Sequence, residues 1–473
     1  MLFHRQRLGT IILFLSDVVI LFLTLLIAIQ LRRVLPNIIP GYPEFFIKLE
    51  FFWWFFPVWM GVLINEGAYS KKLTFWDEVK LLWRTSFFST VAILTIVSLG
   101  KLSYPLSRTF ILLIGLLTLI LFPLLRIAVK RWILRIGLLK SKVLILGTDD
   151  IAKRTVDALQ KEPNMGYEVI GYVDDKETIP IRNINGIKVH GHFDKLERYL
   201  RNCDIQDVVI ATQGIDKSKL ADLINKLQHK ARSVLYVPDL SGMAVVGTEL
   251  VHFFQNQFIA LEIKNNLARP LNYFIKKLFD YTVSFVLFLL MIIPIVIVSI
   301  IIKLTSRGPA IFKQQRLGKD GRLFLCYKFR TMYEDADERI RTILATDQEA
   351  REEWQMYWKL KNDPRITKVG NFLRKTSLDE LPQIWNVLKG EMSLVGPRPY
   401  LPREWELLKE HSEIIHSVHP GITGLWQVSG RSDSSYEKRI SLDSWYVRNW
   451  NLWLDIVILI RTVHVVLKKE GAW

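Results

Sequence analysis

Four apolar stretches open the chain, from Leu8 to Leu31, Phe45 to Ile64, Thr85 to Leu99 and Thr109 to Leu125. Each approaches the ~20 residues that an α-helix needs to cross a bilayer, although the third is short. Hydrocarbon offers no partners to backbone N–H and C=O groups, so segments like these fold as helices that satisfy their own backbone. The first run is too long, and too plainly followed by others, to be a cleaved signal peptide. Trp53, Trp54 and Trp59 make the second unusually aromatic, and Trp76 and Trp83 have the character of interfacial anchors.

The charges between these runs are lopsided. Arg5, Arg7, Lys71, Lys72, Lys80, Arg84, Arg126, Lys130, Arg131, Arg135, Lys140 and Lys142 fall on one side; Arg32, Arg33, Lys48, Lys101 and Arg108 fall on the other. The positive-inside rule places the N-terminus and everything just after the fourth run in the cytoplasm. Asp17 is the main charge inside a run, so residues 1–135 are expected to be a four-helix anchor and not a transport path. The net charge of +17 suits a protein lying against anionic lipid. Nucleic-acid binding is excluded because the basic residues flank apolar segments instead of forming one face. Cys203 and Cys326 lack metal-ligand spacing and fit a reducing cytosol.

From about residue 136 to 262 the pattern changes. The β-branched runs Val143–Leu146, Val169–Val173, Val208–Ile210 and Val234–Val237 alternate with polar helical stretches at 151–160 and 217–229. Such alternation predicts a parallel, Rossmann-like sheet. The first strand ends in Gly147-Thr148-Asp149-Asp150-Ile151-Ala152, which keeps only the first glycine and the permitted final alanine of a dinucleotide fingerprint. Asp149 puts a carboxylate where pyrophosphate would need bare backbone. Tyr172 and Lys176 have dehydrogenase-like spacing but follow a second strand, so they read as coincidence. An assembly or regulatory module is the expectation, and the domain is expected to hold a homodimer together.

A further apolar segment runs from Leu278 to Leu304 and contains Pro294. As a fifth span it would put the remaining chain on the other side of the membrane. A central proline deletes a helix hydrogen bond and kinks the rod, so the expectation is a re-entrant helix that returns to the same face. Trp450, Trp453, Ile456, Ile460 and Val463 recur at helical spacing near the C-terminus, as in a helix lying in the interface.

Between these membrane contacts lies the chemistry. Its landmarks are Gln315-Arg316-Leu317-Gly318, Tyr327-Lys328-Phe329-Arg330-Thr331-Met332, Asp363-Pro364-Arg365, Lys375-Thr376-Ser377-Leu378-Asp379-Glu380-Leu381-Pro382, Gly396-Pro397-Arg398-Pro399 and Pro420-Gly421-Ile422-Thr423-Gly424. Prolines and glycines fix loops that aim arginine forks, an arrangement suited to phosphate. Adjacent acids serve a divalent cation or attack phosphorus. The bland alternative for Ser377-Leu-Asp379-Glu380 is a capping box; Pro382 opposes that register, because it would fall beyond the first helical turn.

On these motifs, residues 263–473 resemble the catalytic domain of the polyprenyl-phosphate sugar-1-phosphate transferases, the bacterial sugar transferase family. The preceding anchor and degenerate α/β domain resemble its long members. The resemblance implies a mainly α, monotopic catalytic domain, with a re-entrant helix at about 278–304 broken at Pro294, on the cytoplasmic face of a bacterial inner membrane. It implies that Asp379 attacks the sugar-bearing phosphate of a UDP-sugar, that UMP leaves, and that undecaprenyl phosphate then takes the phosphosugar. Glu380 is implied as a metal ligand or proton carrier, and Asp379 and Glu380 together as Mg²⁺ ligands. Arg374, Arg398 and Arg431, with Lys328 and Arg330, are implied as phosphate or nucleotide contacts, and Asp443 and Asp455 as supporting acids. Galactose is the expected sugar, with glucose next. A membrane-tethered nucleotide-sugar dehydratase or epimerase and a non-catalytic scaffold are the competing classes; the broken glycine fingerprint counts against the former.

Overall fold

A computed structural model describes residues 2–40, 52–100, 107–174, 183–191, 196–202, 204–212, 215–240, 243, 248–253, 258–263, 266–349, 351–352, 360, 363–430 and 435–468. It comprises two compact units, Met1–Asp239 and Leu240–Trp473.

The first unit begins with helices α1 (Leu2–Ile38), α2 (Phe55–Asn65), α3 (Phe75–Leu99) and α4 (Arg108–Arg135). Of these α1, α3 and α4 are long and apolar enough to cross a membrane. Helix α2 has 11 residues, and the expected start of the second span at 45–51 lies outside the described residues. Helix α3 starts ten residues earlier than its apolar run, at Phe75 instead of Thr85. Thr74 caps it by accepting from the Asp77 N–H, and Asp77 and Glu78 occupy the first turn, where the helix dipole favours acids. Hydropathy alone passes over such a turn because its residues are charged.

Asp17 is not an isolated intramembrane charge. The buried Arg126 guanidinium donates to its carboxylate, to Glu78 Oε1 at 3.1 Å and to the Ala68 carbonyl at 2.9 Å. Lys130 donates to Glu78 Oε2 at 2.6 Å. The same oxygen accepts from Asn164 Nδ2 at 2.6 Å, while Lys72 reaches Asp207 at 2.5 Å and Gln6 the Lys140 carbonyl at 2.8 Å. Asn164 and Asp207 belong to the α/β part, so the ends of α1 and α4 and the start of α3 all dock on it.

That part is one sheet of strands β1 (Ser141–Leu146), β2 (Tyr167–Val173), β3 (Asn183–Ile184), β4 (Ile187–His190), β5 (Asp207–Ile210) and β6 (Ser233–Tyr236). The order is β3-β4-β2-β1-β5-β6, parallel except for the β3–β4 edge. The four expected strands are present. Strand β1 is central, and Val143 to Leu146 are all buried, as a strand covered on both faces requires. Helices α5 (Asp150–Lys161), α6 (Leu196–Asn202) and α7 (Lys217–Gln228) connect the strands. Gly147 has φ +110°, and an added Cβ would lie 2.4 Å from the Ala211 carbonyl oxygen, so only glycine fits there. Lys176 lies outside the described residues.

The second unit opens with a hairpin, β7 (Glu249–Phe253) and β8 (Phe258–Glu262), and then α8 (Pro270–Thr305). Helix α8 is long and apolar enough to cross a membrane. Pro294 lies inside it and the helical assignment runs through without interruption, where the sequence reading expects a break. Leu289, Leu290, Ile293, Val296, Ile297 and Ile300 are exposed on both sides of the proline. Strands β9 (Ile311–Leu317) and β10 (Leu323–Phe329) form an antiparallel pair, and a mainly helical remainder surrounds a two-stranded parallel pair, Ser393–Val395 beside Gly421–Thr423.

Truncating one member of the Arg126 cluster strands the others. Arg126→Ala is expected to cost about 3–5 kcal/mol, because the buried Asp17 carboxylate loses its cation and Glu78 one of its two. Thermal unfolding of the full-length protein in detergent, with Asp17→Asn as a milder comparison, measures this.

Candidate active site

The acid pair owes its position to the helix Lys368–Lys375. Thr367 caps this helix, its Oγ1 accepting from the Gly370 N–H at 2.8 Å. Gly370 lies directly on the backbone after β10: an added Cβ would sit 2.0 Å from the Thr331 carbonyl oxygen. That close approach lets Arg374 Nε donate to Thr331 Oγ1 at 2.9 Å. Ser377 then adopts a left-handed conformation, φ 54° and ψ 18°, uncommon for a residue with a side chain. It turns the chain into a single 3₁₀ turn, Leu378–Glu380, before the helix Gln383–Leu388. Ser377 makes no side-chain cap, so the capping-box alternative is absent, and Pro382 sits just ahead of the helix.

Strand β10 supplies the first cation. Lys328 Nζ donates to Glu380 Oε1 at 2.6 Å. Asp379, partly buried beside them, has its pKa pushed up to about 6. Burial is the main cause and repulsion from Glu380 the second, with Lys328 and Arg374 pulling the other way. Burial also depresses the Arg374 guanidinium, against the opposing attraction of Asp379. Arg365 is committed to Asp363, at 2.7 Å.

A second wall is built from backbone. Gly396 N donates to Thr423 O at 2.9 Å, and Gly421 N to Pro397 O at 2.8 Å. A Cβ on Gly421 would fall 2.1 Å from Gly396 N. The two glycine- and proline-rich motifs are therefore one structure, seen twice in sequence. Arg398 emerges from it with its N–H donating to Asp443 Oδ2 at 3.4 Å, and Tyr400 Oη donates to the same oxygen at 2.8 Å. Burial raises the Asp443 carboxyl to about 6 despite the nearby Arg439. The Arg398 guanidinium, lowered by burial and then by Arg439, lies 5.5 Å from the Trp426 ring centre.

Arg316, Lys328, Glu380, Gln383, Arg398 and Gln427 line one small cavity. The structure thus brings Asp379, Glu380, Lys328, Arg374 and Arg398 together, with Asp443 behind Arg398. Arg330 is used elsewhere: it donates to Ser306 O at 2.9 Å and Ser306 Oγ at 2.7 Å, closing the turn after α8. Asp455 is also apart, accepting from Lys276 at 2.8 Å, Tyr446 at 2.7 Å and Trp450 at 3.0 Å. Arg431 lies outside the described residues. Two further cations stand here, Arg316 from a sequence landmark that was given no role of its own and Arg439, which the sequence reading did not name. Arg316 donates to the Pro399 carbonyl at 3.0 Å, and Arg439 stacks over Tyr400 and Trp426 at 4.3 and 4.9 Å. The i,i+4 spacing of Arg439 and Asp443 on one helix was the available signal for the latter.

Among the described residues no group of three or more His, Cys, Asp or Glu side chains gathers as a metal cage. The Asp379–Glu380 pair fits a hard cation that keeps waters and takes its remaining oxygens from substrate phosphates.

Paired acids, one raised toward neutrality, thus stand ringed by a lysine and arginines on the unit that carries α8. Residues 271–469 match the family model described as bacterial sugar transferase, and residues 66–238 one described as CoA-binding domain. The chain is 40% identical to the UDP-galactose-lipid carrier transferase of Erwinia amylovora, over 88% of this chain and 86% of that one. It is 38% identical to the undecaprenyl-phosphate galactose phosphotransferase of Salmonella typhimurium over the same shares. It is 32% identical to the UDP-glucose:undecaprenyl-phosphate glucose-1-phosphate transferase of Klebsiella pneumoniae, over 83% of this chain and 81% of that one. The chain belongs to the bacterial sugar transferase family, resembles its long members over most of its length, and is an enzyme.

A nucleophilic Asp379 would have to be ionised, and that role predicts turnover that rises with pH through about 6. Lys328→Met removes a cation that favours the carboxylate, and should move this limb to higher pH. Asp443 titrates in the same range, so Asp443→Asn, which leaves the limb in place, distinguishes the two in a pH–kcat/KM profile.

Proposed function

We propose that this protein transfers a sugar-1-phosphate from a UDP-sugar to undecaprenyl phosphate, the first step of a surface polysaccharide. The observation that carries the reading is the acid pair Asp379–Glu380, with Lys328 at 2.6 Å from Glu380 and Arg398 on the same cavity. An Asp379 oxygen attacks the sugar-bearing phosphorus, the bond to the bridging oxygen breaks, and UMP leaves with that electron pair. The oxygen of the lipid phosphate then attacks the aspartyl phosphosugar and releases the Asp379 carboxylate. Asp379 and Glu380 would hold Mg²⁺, which supplies neutralisation of phosphate charge. Arg374 and Arg398 orient phosphate oxygens, and Asp443 positions Arg398 through its backbone.

Galactose is favoured, since the relatives named for galactose are 40% and 38% identical against 32% for the one named for glucose. A cytoplasmic active site on an inner membrane is supported by the basic residues that flank α1, α3 and α4. A re-entrant α8 is supported by how its two ends are held. Lys276 near its start bonds to Val395 and Asp455, and Ile302 near its end packs with Phe329 and Leu373. A straight helix of this length would span about 54 Å, whereas a bend at Pro294, where proline removes one backbone bond, would let both ends reach one unit. The sheet order supports a Rossmann-like reading of the middle domain, whose role we take to be holding a homodimer.

Release of UMP from a panel of UDP-sugars, with a short polyprenyl phosphate and Mg²⁺, tests the reaction. Asp379→Asn should lower it on the order of 10³-fold or more; unchanged release in that variant would refute covalent catalysis. Deleting residues 142–262 should turn dimers into monomers in light scattering, and dimers that survive the deletion would sink the assembly role.

A further inference from the structure

A second cavity, of about 510 Å³, lies at the base of α8 and shares no lining residue with the one beside Glu380. That volume is typical of small-ligand sites. Leu267, Val418 and Val447 give it apolar walls, and Lys276, Lys277 and Lys319 line its polar side. Lys276 is fully committed, to Asp455 at 2.8 Å, Asp280 at 3.3 Å and the Val395 carbonyl at 2.9 Å.

Lys277 and Lys319 are not committed. Neither forms an ion pair among the described residues, and their ammonium groups lie 5.9 and 5.1 Å from the same Tyr273 ring centre. Asp280 is already occupied by Lys276, Ser393 Oγ and the Leu394 N–H, and Asp320 is exposed on the surface turn. His419 completes the lining, with a buried Nδ1 that has no hydrogen-bond partner. Its imidazole is held neutral, with a pKa of about 4, by burial first and by these two lysines next. Asp280 also lines the cavity, but its oxygens are taken by Lys276, Ser393 and the Leu394 N–H, so Lys277 and Lys319 face a partly enclosed space with charge left for an anion.

The surroundings indicate where the anion comes from. Leu271, Phe274 and Leu278 are 69%, 62% and 55% exposed on the same stretch of α8, a helix long and apolar enough for a membrane. We propose that this cavity takes the phosphate headgroup of an anionic membrane lipid, with Lys277 and Lys319 holding the phosphate, Tyr273 beneath it and His419 Nδ1 accepting from a headgroup hydroxyl.

The test uses full-length protein in nanodiscs of phosphatidylcholine, with and without phosphatidylglycerol, and counts lipids retained after detergent release by native mass spectrometry. Phosphatidylglycerol should be retained in preference to phosphatidylcholine. Lys277→Gln/Lys319→Gln should weaken retention about tenfold or more, and Lys277→Arg/Lys319→Arg should preserve it. Lys319→Gln alone, on a surface turn, serves if the double variant does not fold, and should show the same direction of loss. Equal retention of the two lipids, or retention unchanged in the glutamine variants, overturns the proposal. Displacement by inorganic phosphate as effective as by added phosphatidylglycerol overturns the lipid assignment in favour of free phosphate.

Discussion

A buried ammonium group in an otherwise apolar helix has to find acceptors or give up its charge, and Lys276 finds three. One is Asp280 a turn further along α8, one is the carbonyl of Val395, and one is Asp455 on the last helix. Each carboxylate is then completed by other elements: Asp280 by Ser393 and the Leu394 N–H, Asp455 by Tyr446 and Trp450. The base of the membrane helix, the short parallel pair and the two C-terminal helices thus converge on one charge. The strand held at Val395 runs directly into Gly396 and Arg398. The position of Arg398 is therefore set, within a few residues, by how the membrane helix is anchored.

Asp379 and its neighbour Glu380 sit in a balance of opposing effects. Burial and the adjacent Glu380 weigh toward a proton on Asp379, while Lys328 and Arg374 weigh against it. A fully solvated carboxylate would be ionised but poorly nucleophilic, and a fully buried one would be protonated and inert. Lys328 serves both acids at once, neutralising Glu380 by direct contact and steadying Asp379 through space.

Much of this architecture was legible from residues alone. The apolar runs gave the membrane helices, because hydrocarbon tolerates little else, and the alternation of β-branched and polar runs gave the sheet. Helix α3 was read too short because its first turns carry charges that a cap and the dipole stabilise. Pro294 suggested an interruption, yet one missing bond among many leaves the helix continuous. In the site, Asp379, Glu380, Lys328, Arg374 and Arg398 stood out because motif and chemistry coincide. Arg330 belongs to the same motif as Lys328 but faces Ser306, a distinction that depends on where the helix end lies and not on spacing. Arg316 and Arg439 come from elements distant in sequence, so only the packing reveals that they meet the others.

The contact between Gly396 and Gly421 has a mechanical meaning. Backbone atoms this close leave no side chains to slide or re-pack between the two loops, so they move as one body. Arg398 rides on the first loop, and Trp426 and Gln427 follow the second by a few residues. Any displacement of Arg398 would therefore carry the opposite rim of the cavity with it. In the proposed two-step reaction, the donor and the acceptor of the phosphosugar would meet the same rigid frame. In the proposed reaction, the choice of sugar would then fall to side chains around that frame and not to its shape.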